Sequence, residues 1–422
     1  MIWKDGFVIN STSPAPFTKS TRFTDVAAVA IVSLFVVVAF SRWTSTSEGA
    51  SAELGSQALI TFAGIALACA LSLTFWGLRP SLAGVRTPAI LLLAAYALFG
   101  IISSAWSPTP FFSLGKSIEM LMLVILGATC GVTAAWRQVP IQSPILIALA
   151  IRVLGSLAQN MWLGGTIIRM NDYFGRQRFT FGYLHPNESA KVILFLILFL
   201  WPQFFSAKKT GHKLIIFLLT LANGWLLYLT DSRTSIGLAL IAIIAIAAAH
   251  LPSNRLRVIF TITVLLTAIA TALGVVWIIE DKLASLDPAK VAEWMTLNER
   301  VPLWQAMLTE ALDAPIAGHG YFASRLYGLQ VYPWAVHSHN MIIETFLNLG
   351  MIGLFILGVF YLLLAAFSAK VAKPAAAVGF LAALTIEGML SIEVIIPGIG
   401  VYILSALITH ASWRHQLQTL RS

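Results

Sequence analysis

The residues best suited to chemistry are His337 and His339, which open the stretch His-Ser-His-Asn-Met-Ile-Ile-Glu-Thr-Phe-Leu-Asn-Leu-Gly-Met-Ile-Gly, 337–353. The apolar run that follows reaches Phe367, long enough to cross a bilayer as a helix at about 1.5 Å per residue. Asn340 is the expected N-cap, with Glu344 in the first turn, where a carboxylate complements the positive end of the helix. That same end disfavours an imidazolium, so His339 is expected to be neutral and able to take a proton. Histidine type alone suits an interfacial polar residue equally well, so the surroundings have to decide.

Those surroundings belong to a membrane. The chain is 58% hydrophobic and only 11% charged, with mean hydropathy +0.83, far from the roughly 25% charge of a soluble domain. The formal charge of +9 does not point to nucleic acid, because most basic residues fall in short gaps between apolar runs, where they set topology or meet anionic lipid. Cys69 and Cys130 lie inside apolar runs and are expected to pack, not to form a disulfide or thiolate metal site.

The expected architecture is an all-α integral membrane protein of about twelve transmembrane helices with one large loop outside the membrane. Its spans are Val26–Ser41, Gly55–Leu78, Thr87–Trp106, Phe111–Trp136, Ile141–Met161, Asn187–Phe205, Leu214–Leu229, Ser235–His250, Val258–Ile279, Met341–Phe367, Pro374–Ile392 and Ile396–Thr409. Residues 1–279 then form an N-terminal set of nine helices with short outer loops, 280–340 the large loop, and 341–422 the C-terminal helices and tail. The large loop holds Trp294, Trp304, Tyr321, Phe322, Tyr327 and Trp334, so it is expected to fold, with an amphipathic helix over Val301–Leu312. The larger share of inter-span lysine and arginine, including Arg79, Arg86, Arg137, Lys208, Lys209, Lys213 and Arg414, falls on the side of the two termini, predicting both termini in the cytoplasm.

The minority on the opposite side needs its own reason. Arg169, Arg176, Arg178, Arg233, Arg300 and Arg325 come from the loops that share a side with His337 and His339. Guanidinium groups bind phosphate oxygens in planar, bidentate fashion and neutralise a leaving diphosphate, while a neutral histidine deprotonates an attacking hydroxyl. That is the chemistry of glycosyl transfer from a polyprenyl-diphosphate donor. For any single arginine, binding of lipid headgroups is an equal alternative. The outward loops offer no Asp-x-Asp pair and no His-x-x-x-His, so a metal-independent site without cofactor is expected. Lys116, Glu119, Arg152, Lys191, Glu387 and Glu393 lie within spans and would suit a transporter path, but Lys116 and Glu119, three apart, are expected to pair with each other.

These residues together resemble the O-antigen ligase and polymerase superfamily, bacterial envelope enzymes acting on undecaprenyl-diphosphate-linked glycans at the periplasmic face. The carrying pattern is His339-Asn340, nine residues, then Gly350-Met351-Ile352-Gly353. Counting from His337 instead would put Asn348 where the pattern has glycine, so the register selects His339. The glycines, three apart, are expected to admit a neighbouring helix. Trp106-Ser107-Pro108, the run from Arg178 to Asn187, Ser232-Arg233-Thr234, Arg300 with Trp304, and Gly318-His319-Gly320 are similar to further motifs of the family. The resemblance implies an inverting C-type membrane glycosyltransferase in the bacterial inner membrane, with His339 as base and Arg178, Arg233 and Arg300 on the diphosphate. Lys191, Asn187, Arg325 and His337 are further expected substrate contacts. Within the family the chain looks most like the ligase, which moves the glycan onto the lipid A core. A carrier-linked polymerase is the alternative and a glycan transporter the second, and a monomer is expected.

Overall fold

The computed structural model describes residues 19–40, 56–162, 169–171, 177–180, 186–251, 253, 256, 300–333, 335–371, 395 and 397–419. The expected spans Val258–Ile279 and Pro374–Ile392, the loop before Arg300, Arg176, and the side chains of Arg169 and Arg233 lie outside the described residues.

Helices follow the apolar runs closely. They are α1 (Lys19–Ala39), α2 (Ser56–Trp76), α3 (Arg79–Val85), α4 (Pro88–Ser103), α5 (Pro110–Trp136), α6 (Gln142–Trp162), α7 (Pro186–Ser206), α8 (Thr210–Leu229), α9 (Arg233–Ala249), α10 (Arg300–Asp313), α11 (Ser324–Val331), α12 (Met341–Val371) and α13 (Ile399–Thr419). Proline in the first turn starts α3, α4 and α5, where its missing N–H costs nothing and its fixed φ suits a helix. Among the described residues five helices are long and apolar enough to cross a membrane, or six if α3 and α4, bent by 92°, make one broken span. The loop between α6 and α7 carries an antiparallel hairpin of β1 (Arg169–Asn171) and β2 (Gln177–Phe179), with Met170 opposite Arg178.

α5 is the central post. Most of it is buried, whereas α8 presents Leu214, Ile215, Phe217, Leu218 and Leu221 outward, as lipid-facing surface requires. Close approach comes at Gly127 and Gly131, a pair four residues apart on α5. A Cβ on Gly127 would stand 2.4 Å from the Tyr402 carbonyl oxygen and one on Gly131 2.4 Å from that of Ala406, so α13 rests backbone to backbone on α5. Gly131→Val is expected to lower stability by about 1–3 kcal/mol through overpacking, read as a fall in the thermal midpoint of the purified protein.

The two ends of α5 sort the rest of the chain. At its C-terminal end Arg137 pairs with Asp25 of α1 at 3.7 Å, Trp136 meets Trp413 edge to face, and His410 of α13 lies 3.1 Å from the Val139 carbonyl. At its N-terminal end, about 40 Å away for 27 residues, Phe112 packs on Phe322 and the neighbouring Trp106 Nε1–H donates to the Gly318 carbonyl at 3.0 Å. The start of α1 and the end of α13 therefore share one end of the bundle, and the segment carrying His337 and His339 is built onto the other.

Lys116 and Glu119 pair at 2.7 Å as expected; Glu119 is buried and its Oε1 lacks a partner among the described residues. Cys69 and Cys130 are unbonded, the first half-buried and the second buried, consistent with packing.

Candidate functional site

A single spanning helix was expected over Met341–Phe367, and here the structure adds a break. Gly350 has φ 62° and ψ −157°, a non-helical conformation inside the helix. A break at membrane depth exposes backbone groups that something must satisfy. The segment 315–320 does so from both sides. The N–H groups of His319 and Gly320 donate to the carbonyls of Leu347 and Asn348 at 2.9 and 2.8 Å, and those of Met351 and Ile352 donate to the carbonyls of Pro315 and Ile316 at 2.9 and 3.2 Å. A Cβ on Gly350 would sit 2.3 Å from the Ile316 oxygen, and one on Gly318 2.4 Å from the Asn348 carbonyl carbon. Gly350 thus admits an extended segment and not the neighbouring helix expected of it, and the space over Gly353 is filled by Leu349 and Thr345 of its own helix.

The short helix predicted over Val301–Leu312 is α10, Arg300–Asp313, with Leu303, Met307 and Ala311 buried at four-residue spacing against Ala335, Ile343 and Leu347. Trp304, one turn after Arg300, donates its indole N–H to the Ser338 carbonyl at 2.7 Å. Arg300 therefore lies on the α10 face that adjoins the His339 loop, and burial lowers its guanidinium pKa from the ordinary value.

In the loop itself Asn340 caps α12 as predicted, its Oδ1 accepting the N–H groups of Ile342 and Ile343 at 3.0 and 3.3 Å. His339 holds a left-handed backbone, φ 55°, uncommon for a residue with a Cβ. Its N–H donates to His337 Nδ1 at 3.2 Å, so that nitrogen carries no proton, and the two rings lie 3.9 Å apart between centroids. Glu344 is fully buried. It accepts the Ser338 N–H at 2.7 Å, the Ser324 hydroxyl, and Asn348 Nδ2 at 3.2 Å, a larger task than complementing the helix end.

Behind the loop His319 is braced. Its Nε2 lies 2.8 Å from the Glu310 carbonyl, which can only accept, so Nε2 bears the proton and Nδ1 accepts from Tyr327 Oη at 3.1 Å. Burial, followed by Glu310 and Asp313, raises the Tyr327 phenol above its ordinary value and keeps it a donor. The Tyr321 phenol, raised well above its ordinary value first by burial, donates to the Ile395 carbonyl at 2.6 Å.

A second group of predicted site residues forms around the hairpin. Arg178, on β2 and buried, donates from Nε to the Thr230 carbonyl at 2.7 Å and from a terminal nitrogen to Asn187 Oδ1 at 2.7 Å and the Asp231 carbonyl at 3.3 Å. It clamps the first turn of α7 to the α8–α9 corner, where Asp231 has φ 49°, and Arg233 begins α9 two residues later. Arg178 was expected on a diphosphate; the contacts seen give it a structural duty. Arg178→Lys keeps the charge but not the planar fork, and leaving a buried carbonyl unpaired costs about 1–3 kcal/mol; a lower melting temperature alongside lost activity is the expected result. Lys191 pairs with Glu188 at 2.8 Å, and the Arg325 guanidinium lies 5.3 Å over the Phe112 ring. So Arg178, Asn187 and the start of α9 come together, as do His337, His339 and, through Trp304, the Arg300 face of α10.

Sequence reasoning missed the break in α12, the role of Glu344, the Gly127–Gly131 seam and the brace on His319. The one readable signal was Asn348 followed two residues on by Gly350 inside an otherwise apolar span. Among the described residues no three histidine, cysteine, aspartate or glutamate side chains gather as a metal site would need.

No curated protein matches the chain. The family model described as O-antigen ligase matches residues 215–358, about a third of the chain, taking in α8 through the first half of α12 with both sides of the break and the His337–His339 loop. That match, with the motifs it encloses, supports the resemblance of the chain to the O-antigen ligase and polymerase superfamily.

Proposed function

We propose that this protein is an O-antigen ligase, transferring a glycan from undecaprenyl diphosphate to the lipid A core oligosaccharide at the periplasmic face of the bacterial inner membrane. The observation that carries the reading is the His339 loop: an imidazole held in a left-handed turn at the capped start of a broken span, beside the α10 face that bears Arg300.

His339 takes the proton of the acceptor hydroxyl. The freed oxygen pair attacks the anomeric carbon from the side opposite the diphosphate, the bond from carbon to phosphate oxygen breaks, and the configuration inverts. Arg178, Arg233 and Arg300 receive the leaving diphosphate, with Lys191, Asn187 and Arg325 at its margins and His337 orienting the base or the acceptor. The charge that develops on diphosphate is met by guanidinium groups, and no metal is required. Convergence of the Arg178 group and the His339 group on one cavity is the central claim of this reading. The larger share of basic loops on the side of the termini supports a periplasmic site, and basic outward loops suit an acceptor that itself carries phosphate.

The test mixes the purified protein with an undecaprenyl-diphosphate glycan and rough lipopolysaccharide. Glycan on lipopolysaccharide is the expected product. Only longer carrier-linked chains would make it a polymerase, and movement of intact donor across a vesicle would make it a transporter. Activity lost to a chelator and restored by a divalent ion would overturn the metal-free mechanism.

A further inference from the structure

We propose that Glu344 is a positioning residue for the His339 imidazole, acting together with Trp304 through the two peptide groups of Ser338; this rests on the reading of His339 as the base. A residue with a Cβ stays in the left-handed region only where its surroundings over-determine it, and His339 has φ 55°. The constraint is visible on both sides of Ser338. Its N–H donates to Glu344 Oε2 at 2.7 Å, and its carbonyl accepts the Trp304 indole N–H at 2.7 Å. Beyond His339, the Asn340 N–H donates to Ser338 Oγ at 3.1 Å while that hydroxyl donates to the Asn340 carbonyl at 2.8 Å. His339 is thus the middle residue of a turn whose flanking peptides are fixed, and the direction of its side chain follows from theirs.

Glu344 is itself immobilised. Its other oxygen accepts the Ser324 hydroxyl and Asn348 Nδ2, and Asn348 Oδ1 takes the Ser324 N–H at 2.8 Å. Asn348 also gives its backbone carbonyl to Gly320 at the break. One buried carboxylate therefore links the catalytic loop, the start of α11 and the interruption in α12. With 0% exposure it has no access to substrate, so its influence on transfer runs through His339. A carboxylate suits the place because it accepts from three donors at once.

The experiment uses full-length protein with Glu344→Ala, Glu344→Gln and Trp304→Phe, and reads two quantities: donor kcat and KM, and the rate at which diethyl pyrocarbonate modifies His339, followed by peptide mass spectrometry with the exposed His212 of α8 as internal reference. Glu344→Ala is expected to lower kcat by about tenfold to a hundredfold, the scale of a misplaced catalytic group, with donor KM little changed. Glu344→Gln keeps an acceptor for the Ser338 N–H and is expected to recover most of that loss. Both Glu344→Ala and Trp304→Phe should change His339 labelling and leave His212 unchanged. Native kcat and native labelling in Glu344→Ala would overturn the proposal. So would a kcat in Glu344→Ala and Trp304→Phe that falls only in step with the folded fraction, the mark of a merely structural role. If the unmodified protein transfers no glycan, the functional reading fails on its own, and the labelling rates still decide whether Glu344 and Trp304 set His339.

Discussion

His339→Asn is expected to abolish most transfer while leaving the fold and the donor affinity close to native. Asparagine is among the few residues with a Cβ that tolerate a left-handed backbone, so it preserves the turn at φ 55° and removes only the proton acceptor. Loss of a general base lowers kcat by about 10²–10⁴, or about 2.7–5.5 kcal/mol of barrier. KM for the donor should move little, because the diphosphate is assigned to arginines on other elements. His339→Ala should show the same fall in kcat with some loss of stability, since alanine is less at ease at positive φ. The check is initial rates of both variants across donor concentration. A His339→Asn protein with native turnover would remove the base from the mechanism. His337→Ala should be milder, its visible duty being to accept the His339 N–H.

Gly350→Ala is expected to be the most damaging single-methyl change in the described part of the chain. Its φ of 62° with ψ −157° is a region essentially reserved for glycine, costing about 1–3 kcal/mol for other residues. The added Cβ would also stand 2.3 Å from the Ile316 oxygen and 2.7 Å from the Ala317 nitrogen. Both are backbone atoms of the segment that satisfies the broken helix, so neither yields without giving up hydrogen bonds at 2.9 and 3.2 Å. Loss of transfer with a large drop in thermal midpoint is expected. Gly358→Ala provides the contrast, since no atom lies within 4 Å of a Cβ placed there and φ is not positive. If Gly350→Ala melted and turned over like the native protein, the break would have no structural weight.

The sequence by itself determined the membrane class, the course of the long described helices, the α10 helix, the Asn340 cap, the Lys116–Glu119 pair and the motif that carries the family resemblance. All of these are encoded locally, in runs of apolar residues and in contacts no more than one turn long. Tertiary structure alone decided that Gly350 breaks a span where a close-packed seam was expected, that the seam lies instead at Gly127 and Gly131, and that Arg178 clamps a corner more than fifty residues away along the chain. It alone decided that Glu344 reaches back to Ser338 and across to Ser324. The reason is the same in each case: a glycine or a buried carboxylate carries no label for its partner, and which backbone comes within a few ångströms of it is set only when distant segments pack.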